Sequence, residues 1–411
     1  MAVLAASLFA AGAVQAQDAT EVEEVVVTGF RGSLASAISV KRQEAAAVDV
    51  IKAEDIADFP DLNLSESIQR IPGVAITRDA GEGRQISVRG LGPQFTRVRI
   101  NGMEALSTVG GTDATGGTNR SRSFDFNVFA SDLFNSITIR KTASAETEEG
   151  SLGATVDLVT GRPFDYKGFT MVASGQLGYN DLSEEIDPRG AFLVSNTWGD
   201  GTFGALFSVA WNKRKQVEEG SSTVRWQSGG LGAETTAAYT LAELNAAFHP
   251  RIPRYDIYNH DQERVGATLS LQWRPSDATS LNFDVLYADF DATREEIFLE
   301  SAAFSTSGAA GTGGMTVRDA EIRGNTLVYG VFDGVSVRTE ARFDELSTEF
   351  TQYTLDGKHE FSDRFRVNGL IGYAKSKHEN PVQTTLLFDS IAKANGYVYD
   401  YRGDSRLPVI T

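Results

Sequence analysis

The sequence predicts a small α+β domain followed by antiparallel strands that curl into a transmembrane β-barrel. Three observations carry this expectation. Between Leu64 and Thr160 a helical spacing gives way to short alternating strands, the first two closed by glycine. From residue 165 onward, longer segments alternate apolar and polar side chains. The connections between those segments alternate between tight and long, as an up-and-down barrel with two unlike rims requires.

Taken in order, residues 2–16 form an apolar run that closes on Val14-Gln15-Ala16. Its length suits a secretory leader ending in small residues and is too short for a spanning helix. The basic stretch that normally precedes a leader is missing, so a misplaced start codon or a missing upstream piece is expected. Glu24-Val25-Val26-Val27-Thr28-Gly29 is strongly β-prone and lies near a free end. It is either a strand for capture by another protein's sheet edge or the first strand of its own domain. Ser33–Ala47 is small and polar, a flexible or lightly helical connector, and Val48 to Ile56 reads as a strand leading into a helical turn.

In the small domain, apolar Leu64, Ile68 and Ile71 keep helical spacing until Pro72-Gly73 ends the run. Gln85–Gly90, Arg97–Gly102, Ile137–Lys141 and Gly153–Thr160 read as strands. Beyond it, seven approximate strands are expected at 168–179, 188–199, 202–214, 261–274, 280–291, 347–361 and 364–376. Val265, Ala267, Leu269, Leu271 and Trp273, for example, alternate with Gly266, Thr268, Ser270, Gln272 and Arg274. Trp198–Thr202, Pro275–Thr279 and Phe361–Arg364 are tight turns; 180–187, 215–260 and 292–346 are long polar connections. Tyr179, Trp198, Trp211, Trp273 and Tyr373 sit at strand ends, where aromatic residues meet a membrane interface. The alternative, a soluble β-sandwich, rarely combines such long strands with this regular alternation of connections.

The order of these pieces resembles TonB-dependent outer-membrane receptors. Residues 24–29 look like that family's TonB box. Leu64–Val74, Ile86–Leu91 and Val98–Gly102 are similar to its plug domain, and Phe129–Phe134, Ile137–Lys141, Glu149–Val156 and Arg162–Phe164 to the end of the plug. The wording around Phe124-Asp-Phe-Asn and Lys141–Glu146 looks like a subgroup often linked to carbohydrate uptake. The resemblance implies a leader (1–16), a periplasmic segment with the TonB box (17–47), a plug (48–164) and the first strands of an incomplete barrel (165–411). Seven strands occupy about 30 residues each, and the family's barrel of 22 strands would take roughly 660 residues. The chain therefore reads as the first part of a longer protein.

The resemblance further implies an active importer in the outer membrane of a Gram-negative bacterium, embedded in outer-membrane lipid and lipopolysaccharide. TonB and its inner-membrane energising complex would engage Glu24–Gly29. The expected substrate is a scarce solute, an oligosaccharide before an iron–siderophore. Two loops are candidates for substrate contact at the plug apex: Asp79, Glu82 and Arg84 in one, Asp113, Asn119 and Arg120 in the other, the alternative for the second being a solvated loop. A passive porin needs no plug and no exposed valine strand. A signalling receptor of this family carries a further domain before its TonB box.

Other chemistry finds little footing. A net charge of −17 disfavours nucleic acid, and 411 residues without a cysteine offer no disulfide, thiolate metal site or cysteine nucleophile. His249, His260, His359 and His378 lack ligand spacing, and no phosphate loop, His-Glu-x-x-His or Gly-x-Ser-x-Gly occurs. No enzyme, cofactor or resident metal is expected.

Overall fold

The computed structural model describes residues 28–411 apart from 45, 53–62, 112–118, 146, 232–233 and 303–314. The expected leader, Glu24–Val27 and Asp113 lie outside those residues. Of the flexible and helical alternatives for the connector the helical one is found: α1 (Thr28–Gln43) starts earlier than expected and takes in Thr28 and Gly29. Its C-terminal turn carries Lys41 and Arg42, cations favoured at that end of a helix dipole.

The expected helix of the small domain is α2 (Leu64–Gln69). Asn63 caps it, its side chain accepting from the Ser65 amide. Leu64, Ile68 and Ile71 are buried as their spacing requires, and Gly73 adopts φ +81°. Strands follow at β1 (Val48–Lys52), β2 (Val74–Asp79), β3 (Glu82–Val88), β4 (Thr96–Ile100), β5 (Met103–Glu104), β6 (Phe134–Arg140) and β7 (Ala154–Thr160). They form a five-stranded sheet in the order β1-β6-β7-β4-β5 and a separate β2-β3 hairpin. Strand β2 was missed from sequence because half of its residues are exposed and only Asp79 is buried, so it shows no clean apolar face. Phe124, Phe126, Phe129 and Phe134 fill the space between helix, hairpin and sheet.

All seven expected long strands are present, most of them longer than the alternation suggested. They are β8 (Thr170–Asn180), β9 (Glu185–Trp198), β10 (Phe203–Ser222), β14 (Arg254–Ser276), β15 (Thr279–Ser301), β18 (Val337–Ser362) and β19 (Phe365–Asp389). In one sheet they run β19-β18-β15-β14-β10-β9-β8, each bonded to its neighbour among these strands. Tight turns at 199–202, 277–278 and 363–364 fall where expected. The connection near 180–187 does not: β8 and β9 are joined by a tight turn. The Asn180 carboxamide accepts from the amides of Leu182 (2.9 Å) and Ser183 (3.2 Å), which closes the chain on itself.

The sheet is inside out relative to a water-soluble protein. On β14 the buried side chains include Gln262, Arg264, Thr268, Ser270 and Gln272, while Val265, Leu269 and Trp273 are exposed by 36, 38 and 48%. Phe169, Met171, Leu177, Phe207, Tyr353 and Leu355 are likewise exposed. Apolar side chains on the outward face are what a lipid-facing wall needs. Two inward glycines admit the plug at close range. A Cβ on Gly266 would lie 2.3 Å from Leu133 Cδ1, and one on Gly372 2.4 Å from Met103 Sδ.

The chain divides into two compact units. The first comprises Met1–Lys215, Asp261–Ala292 and Leu346–Glu379, and holds the plug core. The second comprises Gln216–His260, Thr293–Glu345 and Asn380–Thr411. It is more than the long polar connections expected there. Short strands β11 (Trp226–Gln227), β12 (Glu234–Thr235), β13 (His249–Pro250), β16 (Thr316–Arg323), β17 (Thr326–Val335), β20 (Ala394–Asp400) and β21 (Val409–Ile410) accompany helix α3 (Leu241–Ala246). The sheet β12-β16-β17-β20-β21 covers a core that includes Leu231, Leu244, Val317, Leu327, Phe332 and Tyr399. Helix α3 starts at a capping box between Thr240 and Glu243.

Candidate functional site

Within the first unit, the plug is fastened to the inward polar face of the sheet by buried charges. The β2-β3 turn is tight, with Ala80 at φ +50° and Gly81 at +67°, and it directs Glu82 toward the wall. Arg264 pairs with both Glu82 oxygens, and Arg214 Nη1 lies 3.4 Å from Oε1 while donating to the Ala80 carbonyl at 2.9 Å. Asn63 Nδ2 adds a donor at 3.4 Å and holds the Gly83 carbonyl at 2.6 Å. Burial pushes the Glu82 carboxyl up, but Arg264 and Arg214 outweigh it and hold it below the usual range. A carboxylate between two wall guanidiniums is a rigid fastening; with one partner removed, a buried charge remains unpaired.

A second centre is Asp125, which is fully buried. It accepts from Arg84 Nε (3.0 Å), Gln85 Nε2 (2.8 Å), the Val109 amide (2.8 Å) and Asn119 Nδ2 (3.0 Å). Arg84 also lies 3.9 Å from Asp79 and donates to the Val109 carbonyl. This one carboxylate therefore ties the β2-β3 hairpin to the loop that follows β5.

Two more ties reach the wall. Arg189 donates to Asp132 Oδ2 and to Ser131 Oγ at 2.5 and 2.7 Å. At the plug's exit, Arg162 Nη2 binds Asp284 (2.6 Å) and Asp356 (2.5 Å), and Gln272 receives the Phe164 amide.

A third cluster lies where α1 meets the plug sheet. Asp49 holds Lys41 (2.5 Å) and Lys141 (2.6 Å); Arg140 bridges Glu44 (3.1 Å) and Asp157 (2.7 Å); Asp157 also takes Arg99 (2.6 Å). Burial raises the Asp49 carboxyl, and the two lysines more than reverse it, leaving it below its ordinary value. The strand held here, β1, lies at the edge of its sheet.

The expected contact residues separate accordingly. Asp79, Glu82 and Arg84 are only 5, 2 and 5% exposed, engaged in ion pairs rather than open to solute. The tight hairpin turns them toward the wall and toward Asp125, which corrects the expectation of a free apex loop. Asn119 is half-buried on Asp125, and Arg120 is exposed. Sequence reasoning did not single out Asp125, Arg214, Arg264, Arg162 or Asp284. For Arg264 a signal existed: it shares parity with Thr268, Ser270 and Gln272, and a charge on a buried face demands a partner.

Residues 40–155 match the family described as TonB-dependent Receptor Plug Domain. The ferric enterobactin receptor PirA of Pseudomonas aeruginosa is 32% identical over 149 residues, 35% of this chain and 20% of that protein. The iron-regulated outer membrane virulence protein of Vibrio cholerae is 29% identical over 92 residues, 22% of this chain and 13% of its own length. The crystal structure of the siderophore receptor PirA from Acinetobacter baumannii aligns at a TM-score of 0.36 and 13% identity, covering 89% of this chain and 60% of that one. The matched stretch thus spans a fifth or less of these curated relatives.

Proposed function

We propose, on the premise that residues 40–155 are the plug domain of a TonB-dependent receptor, that this chain is part of an active importer of the outer membrane. The observation that carries the reading is a plug domain fastened by buried ion pairs to the polar face of a sheet whose apolar face is exposed. A wall of that polarity belongs in lipid, and a folded domain on its inward side obstructs free passage. Such a protein transports rather than catalyses.

The outer membrane holds no ATP, so work arrives mechanically. TonB, driven by its inner-membrane complex, pairs by strand addition with Glu24–Gly29 and pulls. Thr28 and Gly29 occupy the first turn of α1, so engagement unwinds that turn before tension reaches β1. The relatives' names support a ferric siderophore as the cargo ahead of the oligosaccharide expected from sequence. Arg120, exposed beside the Asp125 centre, is the remaining described candidate for cargo contact.

The test uses cells that express the full-length gene product. Deleting residues 23–29 abolishes accumulation of labelled ferric siderophore and leaves surface binding intact. Accumulation that survives the deletion, or collapse of the proton gradient, contradicts the mechanism and favours a passive pore. Labelled oligosaccharide taken up in place of the siderophore reverses the order of substrates.

A further inference from the structure

We infer that the second unit holds a binding pocket for a small hydroxylated aromatic ring, with the Glu300 carboxylate receiving the ring's hydroxyl. A cavity of about 240 Å³ opens between β14, β15, β18 and β20. Tyr255, Leu299, Val337 and Ile410 give it largely apolar walls, the usual character of a small-molecule site. Two of the polar groups around these walls are already engaged. The Tyr255 hydroxyl donates to the Pro408 carbonyl and accepts from the Ile410 amide, both at 2.9 Å. The Gly396 amide is taken by Asp333 at 2.7 Å.

Glu300 differs from these two. It lines the cavity at 3% exposure, and its Oε2 has no hydrogen-bond partner among the described residues. Arg254 and Arg338 approach its two oxygens, but each stops at 3.7 Å. Other partners hold them there: Arg254 donates to Ser222 Oγ and stacks over Phe298 at 4.0 Å, and Arg338 binds Asp389 at 2.6 Å. A buried acceptor facing a cavity calls for a donor.

The surroundings select which donor. A protonated amine would meet two guanidiniums, whereas a neutral hydroxyl does not. A sugar ring needs polar partners around its whole rim, and Leu299, Val337 and Ile410 offer none on their sides. A flat ring with a phenolic hydroxyl satisfies both the walls and the acceptor. The inference stands on this unit alone and does not depend on what the whole protein transports.

Fluorine NMR on the full-length receptor in detergent tests it, with 4-fluorophenol as probe. We expect saturable binding, with fluorobenzene about tenfold weaker for want of the donor. Ala394→Trp, which fills the cavity, removes saturable binding of both probes. Glu300→Gln, a milder change, narrows the gap between the two probes while leaving fluorobenzene affinity as it was. Absence of saturable 4-fluorophenol binding, equal affinity for fluorobenzene, or 4-deoxy-4-fluoroglucose binding more tightly would each overturn the assignment.

Discussion

The plug and the sheet beside it obey opposite rules of burial. In the plug, Ile68, Ile86 and Phe126 are at most 1% exposed, as in any water-soluble core. In the sheet, Thr268, Ser270 and Gln272 are buried while Val265, Leu269 and Trp273 stand outside. One chain therefore folds against two solvents, and the polar face of the sheet is usable because the plug supplies its hydrogen-bond and charge partners. Where the two meet, apolar contacts such as Phe129 on Phe350 are joined by ion pairs: Glu82 with Arg214 and Arg264, Asp132 with Arg189, and Arg162 with Asp284 and Asp356.

Breaking that junction gives the largest expected effect. Glu82→Gln leaves Arg264, with 1% of its side chain exposed, as an unpaired buried cation and should cost about 3–5 kcal/mol of plug docking. Protease sensitivity of the plug in the intact protein reads it out, and unchanged resistance would sink the fastening role. Next comes the outward face. Leu269→Arg places a charge where lipid is expected and should destabilise the sheet by about 2–4 kcal/mol in urea unfolding from bilayers. The same change in a wall facing water would be nearly neutral. Gly266→Val then overfills the contact with Leu133 and should cost about 1–3 kcal/mol. Asn63→Ala, which removes the α2 cap and the buried donor to the Gly83 carbonyl, should cost about 1–3 kcal/mol.

The smallest effect concerns pH. The folded Glu82 carboxyl titrates below its unfolded value, so its contribution is full above the ordinary carboxylate range and fades as pH falls through the depressed one. Plug protection at about pH 5 should therefore match that at about pH 7. A loss of protection between the two would show that the arginines do not hold the charge.

Much of the wall was legible because alternation is a local signal: each of its seven strands announces its two faces within about ten residues. The helix at Leu64 was legible for the same reason. The second unit was not, since β11, β12 and β13 are two residues long and β12 finds its partner across the chain, Glu234 opposite Thr316. The fastenings were hidden by distance as well. Arg264 meets Glu82 from 182 residues away, and no spacing rule connects them. Asp79, Glu82 and Arg84 look like an open polar loop until the φ values of Ala80 and Gly81 fold that loop onto the wall.

Because the chain has no cysteine, single cysteines can be scanned along residues 264–273 and spin-labelled in bilayers. Accessibility to oxygen dissolved in lipid should peak at 265, 267, 269, 271 and 273 and drop at the residues between. A flat profile, or peaks on the even positions, would contradict the account.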